Sequence, residues 1–311
     1  MTTLRALGDR LRAAGLTPRA LAAWAGSERL VPLPVRQSAL RARPPVPAAA
    51  ALAMFVSGAE RTVDQLALLP LDELLAAGLV ERAGDTVRAR VAVLPLGHAL
   101  LVCDRADAPR EPELVCWPDD SSYHLASSLP PDRRARWIDL GCGSAFAALV
   151  RPGLADRLVG VDLNPRAVTY ARLGLALSGV EHAEVVLADA AADHGDAELV
   201  TCNAPIPDDP HAAIWRRTDA GFFRRLAASI PPRLAPGGFA IIHTTREALP
   251  ELPGERVFVA YSPGTPAFGV LWWRPDAPAL AISAHRPLTL ARPHLDPQDR
   301  ADALAGALAT A

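Results

Sequence analysis

The sequence predicts an α/β protein: a doubly wound, mainly parallel sheet preceded by a mainly helical, winged-helix-like half. Three observations predict it. From about residue 135, apolar runs of four to six residues alternate with helical stretches. Continuous apolar strands separated by helices imply a parallel sheet covered on both faces. Upstream, short leucine-rich helical patterns lead into a hairpin instead. At "WIDLGCGSAFAALV" a strand runs into a glycine turn and then a helix, and ligands of such sheets sit beyond the carboxyl ends of the strands.

The elements follow in order. "LRALGDRLRAAG" has leucines at helical spacing, and "TPRALAAWAG" opens on Thr17 and Pro18, a good N-cap and first-turn pair. Residues 27–46 are rich in Pro and Arg and read as a connector, after which "PAAAALAMFVSG" reads as a helix. "TVDQLALLP" and "LDELLAAGLV" read as two short helices. "ERAGDTVRARVAVLP" reads as a hairpin turning at "AGD", with a further strand at "HALLVCD". Helix, helix and a two-stranded wing is the winged-helix order. The strands that follow are "RWIDLG", "RLVGVDL", "AEVVLAD", "AELVTCN", "FAIIHTT", "RVFVAY" and "FGVLWWRP", with helices at "AFAALVRPGL", "PRAVTYARLGLALSG" and "FFRRLAASIPPRLA". The expected division is residues 1–118, 119–275 and a C-terminal wrap over 276–311.

Charge and cysteines limit the classes of function. The net charge is −2, the chain has no lysine, so that every fixed positive charge is Arg, and the four cysteines show no CxxC spacing. That suits reduced thiols in the cytoplasm, with neither a disulfide frame nor a metal site. No apolar run reaches bilayer length and no signal-peptide pattern opens the chain. Residues 1–50 carry eight Arg against Asp9 and Glu28, whereas residues 51–130 carry six Arg against twelve acids. These segments are expected to pack and offset each other. The second helix of the winged-helix pattern carries Asp72 and Glu73 and no Arg, which argues against DNA contacts. A cover over the site or a dimerisation surface is the expected role of this half.

The chemistry concentrates at the strand ends. Gly141 and Gly143 form a tight turn before a helix, where backbone N–H groups are open to a ligand. Asp162, 21 residues past Gly141, ends the next strand and suits the two hydroxyls of a ribose. The third glycine of a dinucleotide fingerprint is Phe146 here, which disfavours NAD. Asp139, two residues before Gly141, suits the ammonium of an amino acid, directly or through water. An amino acid joined to a ribose is S-adenosylmethionine, the expected cofactor.

With these motifs in order, residues 136–275 resemble a class I S-adenosylmethionine-dependent methyltransferase of Rossmann-like fold. "DLGCGSA" resembles its first motif, with Ala145 in place of the usual third glycine. "VDLNPRAVTYAR" resembles the second, implying Asp162 on the ribose and Leu163 and Asn164 beside the adenosine. "LADAA" resembles the third, implying Asp189 at the adenine amino group and Ala190 on the ring. "NAPI" stands where HemK-like and RNA-modifying members carry Asn-Pro-Pro-Tyr. That resemblance implies that Asn203 and the Ala204 carbonyl accept from a substrate nitrogen near the methyl donor, with Pro205 stiffening the loop. A structural turn or cap is the other reading of Asn203. Ile206 replaces the family's aromatic residue, which leaves room for an aliphatic or smaller amine.

Asp219 in "TDAGFF" is a candidate substrate contact or, with Thr218, an N-cap. Upstream, "PDDSSYHLASSLP" offers Tyr123, Ser127 and Ser128 near the cofactor, while His124 reads as a surface or capping residue. The chain also resembles bacterial methyltransferases with a helical and winged-helix N-terminal half, through "FVSGAERTVDQL" and "LLAAGLVERAGDTVRARVAVLP". Methylation of nitrogen in a small-molecule or peptide acceptor is the expected activity, without nucleic acid or membrane partners and with a homodimer as one arrangement. Two other readings stand beside it: a small-molecule O- or N-methyltransferase of specialised metabolism, and a winged-helix DNA-binding regulator with a ligand-sensing domain.

Overall fold

The computed structural model describes residues 3–27, 30–44, 46–205, 221–249, 251–262 and 267–285. The N-terminal half opens with α1 (Leu4–Ala13) and α2 (Pro18–Ala25). Thr3 and Thr17 cap them, accepting from Ala6 N and Ala20 N at 3.2 Å each. The predicted connector contains a short helix, α3 (Gln37–Arg41). It forms because Leu33 and Leu40 are buried and the Gln37 amide donates to the carbonyls of Leu33 and Val56. α4 (Ala50–Phe55) is buried on every side.

Next come β1 (Arg61–Thr62), α5 (Leu71–Ala76), β2 (Val80–Ala83) and β3 (Thr86–Ala89). β1, β3 and β2 form an antiparallel sheet. Of "TVDQLALLP" only Asp64–Leu66 is helical, as a single 3₁₀ turn. Pro70 and the short spacing leave no room for a longer helix before α5. The strand at "HALLVCD" is β5 (Ala99–Cys103), paired with β4 (Ala92–Leu96) in a separate hairpin buried on both faces.

The second half is built on one eight-stranded sheet. Its chain order is α6 (Asp120–Ser127), β6 (Arg134–Leu140), α7 (Phe146–Val150), β7 (Ala155–Asp162), α8 (Pro165–Ser178), β8 (Ala183–Leu187), β9 (Ala197–Asn203), α9 (Phe222–Ser229), β10 (Leu234–Thr245), β11 (Glu255–Ala260), β12 (Phe268–Arg274) and β13 (Leu280–His285). The spatial order is β13-β11-β12-β10-β9-β6-β7-β8. All neighbours are parallel except β12, which runs antiparallel to β10 and β11. β13, at the head of the tail, was not legible in the sequence because its faces alternate between exposed and half-buried residues.

Alternate residues of each central strand feed two cores. Trp137, Leu199 and Ile241 point into one and Ile138, Val200 and Ile242 into the other. The first core is continuous with the N-terminal half, through Leu7, Leu11 and Leu177. β5 docks on α8, where Ser178 Oγ accepts from Leu100 N at 2.9 Å and donates to Gly174 O at 2.7 Å. Across the two halves of the charge pattern, Arg10 pairs with Glu73, and Arg41 with Asp107 at 2.5 Å.

α1 crosses α8 so closely that a Cβ at Gly8 would lie 1.9 Å from the Leu177 carbonyl oxygen. Gly8→Ala should therefore destabilise the protein by about 1–3 kcal/mol, outweighing the roughly 1 kcal/mol by which alanine favours a helix. Urea denaturation showing a stabilised variant would contradict this packing.

Candidate active site

The turn after β6 sets the site. Gly141 and Gly143 have φ of 66° and 54°, and a Cβ at either would meet nothing within 4 Å. Their backbone therefore faces open space. Ala145 also takes a left-handed φ, 59°, at a cost of about 1–2 kcal/mol for a residue with a Cβ. In the motif that "DLGCGSA" resembles, that position is usually glycine.

Asp162, at the end of β7, holds this turn. Its Oδ2 accepts from Gly143 N and its Oδ1 from Asn164 N, each at 2.8 Å. Burial raises its pKa while these N–H donors counteract the rise. Each carboxylate oxygen still has lone pairs for a ligand, which matches two adjacent hydroxyls. Leu163 and Leu187 follow on neighbouring strand ends and are 60% and 55% exposed. Large apolar side chains left open at this end of the sheet suit a flat, apolar ring.

Asn164, expected beside the adenosine, makes its contacts within the protein. It is buried, caps α8 through Arg166 N at 2.9 Å, and donates to the Glu113 carbonyl at 2.8 Å. Its amide thus ties the segment before α6 to the turn after Asp162. Arg166 and Tyr170 of α8 reinforce that tie by meeting Asp104 at 3.4 and 3.1 Å.

Asp139 is 4% exposed. Thr201 Oγ1 donates to it at 2.6 Å and accepts from Trp137 Nε1 at 2.7 Å. An indole N–H can only donate, so the threonine proton must go to the carboxylate. Burial nevertheless raises the Asp139 pKa to about 7, with the nearby Asp162 adding to the rise. Asp189 lies exposed after β8, its Oδ1 accepting from Ala191 N at 2.8 Å, beside half-buried Ala190. The loop is held from below by buried Arg233, which donates to the carbonyls of Ala190 at 2.7 Å and of Ala192. Nothing in the string "PPRLA" marked that arginine, because its role depends on two carbonyls some forty residues upstream.

At the end of β9, Asn203 donates through Nδ2 to Ser121 Oγ of α6 at 2.8 Å. Ala204 N donates to the His243 carbonyl at 3.1 Å, so the Asn203 loop leaves the sheet along β10. Pro205 follows; Ile206 and Asp219 lie outside the described residues. In the sheet Asn203 stands beside His243, whose Nε2 meets the Tyr261 hydroxyl at 2.6 Å. Burial lowers the His243 pKa to about 4, so the ring is neutral at physiological pH.

His124 corrects an expectation. It is buried, 3% exposed, and stacks on Tyr261 at 3.6 Å between ring centroids. α6 lies on the sheet with that side inward, which no local pattern announced. Tyr123 is also buried, edge-on to Phe146 at 4.9 Å, against the helix that leaves the glycine turn. Ser127 and Ser128 are buried, and Ser128 Oγ donates to the His124 carbonyl. Cys142 and Cys202 are buried free thiols, and no metal-binding group of His, Cys, Asp or Glu occurs among the described residues.

Residues 117–247 match the family described as the methyltransferase small domain. The chain is 34% identical over 108 residues to a ribosomal protein L11 methyltransferase of Geobacter metallireducens, covering 34% of this chain and 30% of that protein. It is 30% identical over 127 residues to a ubiquinone biosynthesis O-methyltransferase of Thiobacillus denitrificans, covering 35% and 54%. The chain thus spans about a third to a half of the length of these curated relatives. Among solved structures, a methyltransferase from Streptococcus mutans in complex with SAH is 18% identical, with a TM-score of 0.38, covering 51% of this chain and 98% of that one. Among the described residues, no helix is long and apolar enough to cross a membrane.

Proposed function

We propose that this chain transfers a methyl group from S-adenosylmethionine to a nitrogen acceptor held at the Asn203 loop. The observation that carries the cofactor reading is the Asp162 carboxylate, which staples an open glycine turn and keeps lone pairs for a ribose. When bound, S-adenosylmethionine supplies a methyl group on a positively charged sulfur. Gly141 and Gly143 leave room for its amino-acid end, and Asp139 faces the ammonium. Leu163 and Ala190 flank the ring, and Asp189 takes its amino group. Asn203 and the Ala204 carbonyl align the acceptor, because an in-line displacement depends on orientation more than on acid catalysis. Pro205, with its fixed φ, stiffens their loop. Tyr123 packs on Phe146, in the helix that follows the glycine turn, and its ring is the proposed neighbour of the cationic sulfur.

The acceptor is a small molecule or a peptide, and the protein works in the cytoplasm. Residues 1–118, with their winged-helix-like order, cover the site or join two copies. The acidic pair Asp72 and Glu73 on α5 disfavours nucleic acid; Glu73 is engaged by Arg10.

Calorimetric titration with S-adenosylhomocysteine tests this reading across a pH series. Because the folded pKa of Asp139 is raised from 3.8 to about 7, the folded state binds more protons than the unfolded chain between those values. This group's contribution to stability therefore falls as pH rises through that window. A ligand ammonium favours the carboxylate, so affinity should increase as pH climbs through 7, and Asp139→Asn should flatten the dependence. No binding at roughly millimolar ligand overturns the reading.

The stack of His124, Tyr261 and His243 favours a second reading, an O-methyltransferase in which a neutral imidazole assists loss of a hydroxyl proton. Alkaline hydrolysis and mass analysis of the product distinguish an N-methyl from an O-methyl group.

A further inference from the structure

We infer that Ser121 and Asp119 set which atom of the Asn203 amide faces the acceptor, and so restrict the acceptor to an atom that carries hydrogen, the amine nitrogen of the proposed reaction. The inference rests on the methyltransferase reading above and deepens it. Asp119 is the N-cap of α6, and its Oδ1 accepts from Ser121 Oγ at 2.5 Å and from Ser122 N at 3.2 Å. A carboxylate can only accept. The single hydroxyl proton of Ser121 is therefore spent on Asp119, and Ser121 Oγ can only accept from its other neighbour. That neighbour is Asn203, 2.8 Å away. The group presented to Ser121 must be the amide NH₂. The chain of donors runs one way: Asn203 Nδ2 to Ser121 Oγ to Asp119 Oδ1.

The consequence falls on the other end of the amide. With its nitrogen held by α6, Asn203 has its oxygen left for the acceptor, and an oxygen can only receive a hydrogen bond. An amine or amide N–H satisfies it, and so does a neutral hydroxyl. A deprotonated oxygen or an ether oxygen opposes it lone pair to lone pair. A flipped amide would present donors instead and select the opposite class. Selection of this kind exceeds what apolar shape provides, because a mismatched buried polar group is left unpaired. Ser121 is thus a positioning residue acting through Asn203. Its place is set by the cap geometry of α6, four residues after the Trp117 indole donates to the Asp104 carbonyl at 2.9 Å.

The test uses full-length protein saturated with S-adenosylhomocysteine for spectroscopy, and tritiated S-adenosylmethionine with an extract of the producing cells for turnover. In the wild type, one side-chain N–H of Asn203 should be shifted downfield and protected from exchange. Ser121→Ala should lose both signatures and reduce turnover about tenfold, with S-adenosylhomocysteine affinity unchanged by calorimetry. Ser121→Thr, which keeps the hydroxyl, should restore most of the turnover and the amide signature. A Ser121→Ala protein with the wild-type amide spectrum and wild-type turnover overturns the positioning role while leaving cofactor binding intact. A wild type that fails to bind S-adenosylhomocysteine overturns the methyltransferase reading itself. A product methylated on an atom that carried no hydrogen overturns the restriction.

Discussion

Replacing Asp162 by alanine should weaken S-adenosylhomocysteine binding by about 1.5–3 kcal/mol, roughly 10- to 150-fold, the range for a hydrogen bond to a charged group. The structure adds a second source of loss. Gly143 N and Asn164 N both give up their acceptor, so the open turn relaxes as the proposed ribose contact disappears. The same geometry makes asparagine a poor substitute. Each carboxylate oxygen already receives one backbone N–H, and an amide would turn its NH₂ toward one of those donors. Asp162→Asn should therefore bind about as weakly as Asp162→Ala. Calorimetry at fixed pH measures both variants, with thermal melting as a control for folding. An asparagine variant of wild-type affinity would mean that the two N–H contacts do not shape the site.

Asn203→Ala should lower turnover on the order of a hundredfold while leaving cofactor affinity unchanged, since misaligned reactants alone cost that much. The separation of the two quantities is the discriminating result. Asn203 touches Ser121 of α6, whereas the proposed cofactor contacts belong to β6, β7 and the turn after β8. Equal loss of affinity and turnover would make Asn203 a structural residue that holds α6 against the sheet. Tritium transfer from S-adenosylmethionine, paired with calorimetry on the same preparations, reads both.

These two residues also show how far the sequence reaches. The place of Asp162 was legible because it is local: a strand end, a fixed spacing from Gly141 and a turn in between. Its contact with Gly143 follows from strands β6 and β7 being neighbours, which the pattern of apolar runs already implied. Asn203 was legible as a polar residue at the mouth of a core strand. The orientation of its amide was not, because that depends on Ser121, 82 residues upstream. His124 was misplaced for the same reason. A histidine in a short polar helix looks solvated until that helix is laid against Tyr261. Arg233 gave no signal at all, since its partners are backbone carbonyls and any sequence supplies those.

By itself the sequence determined the parallel sheet, the glycine turn and the acid at the end of the second strand. Periodicity, turn chemistry and helix capping act over a few residues, and neighbouring letters suffice to encode them. Only the tertiary structure decided the direction of the donor chains through Thr201 and Ser121, the burial of His124 and His243, and the joining of both halves through α1, β5 and α8. Those features arise where distant segments exclude water together. Desolvation and hydrogen-bond direction are properties of the packed surroundings, not of the residues taken in order.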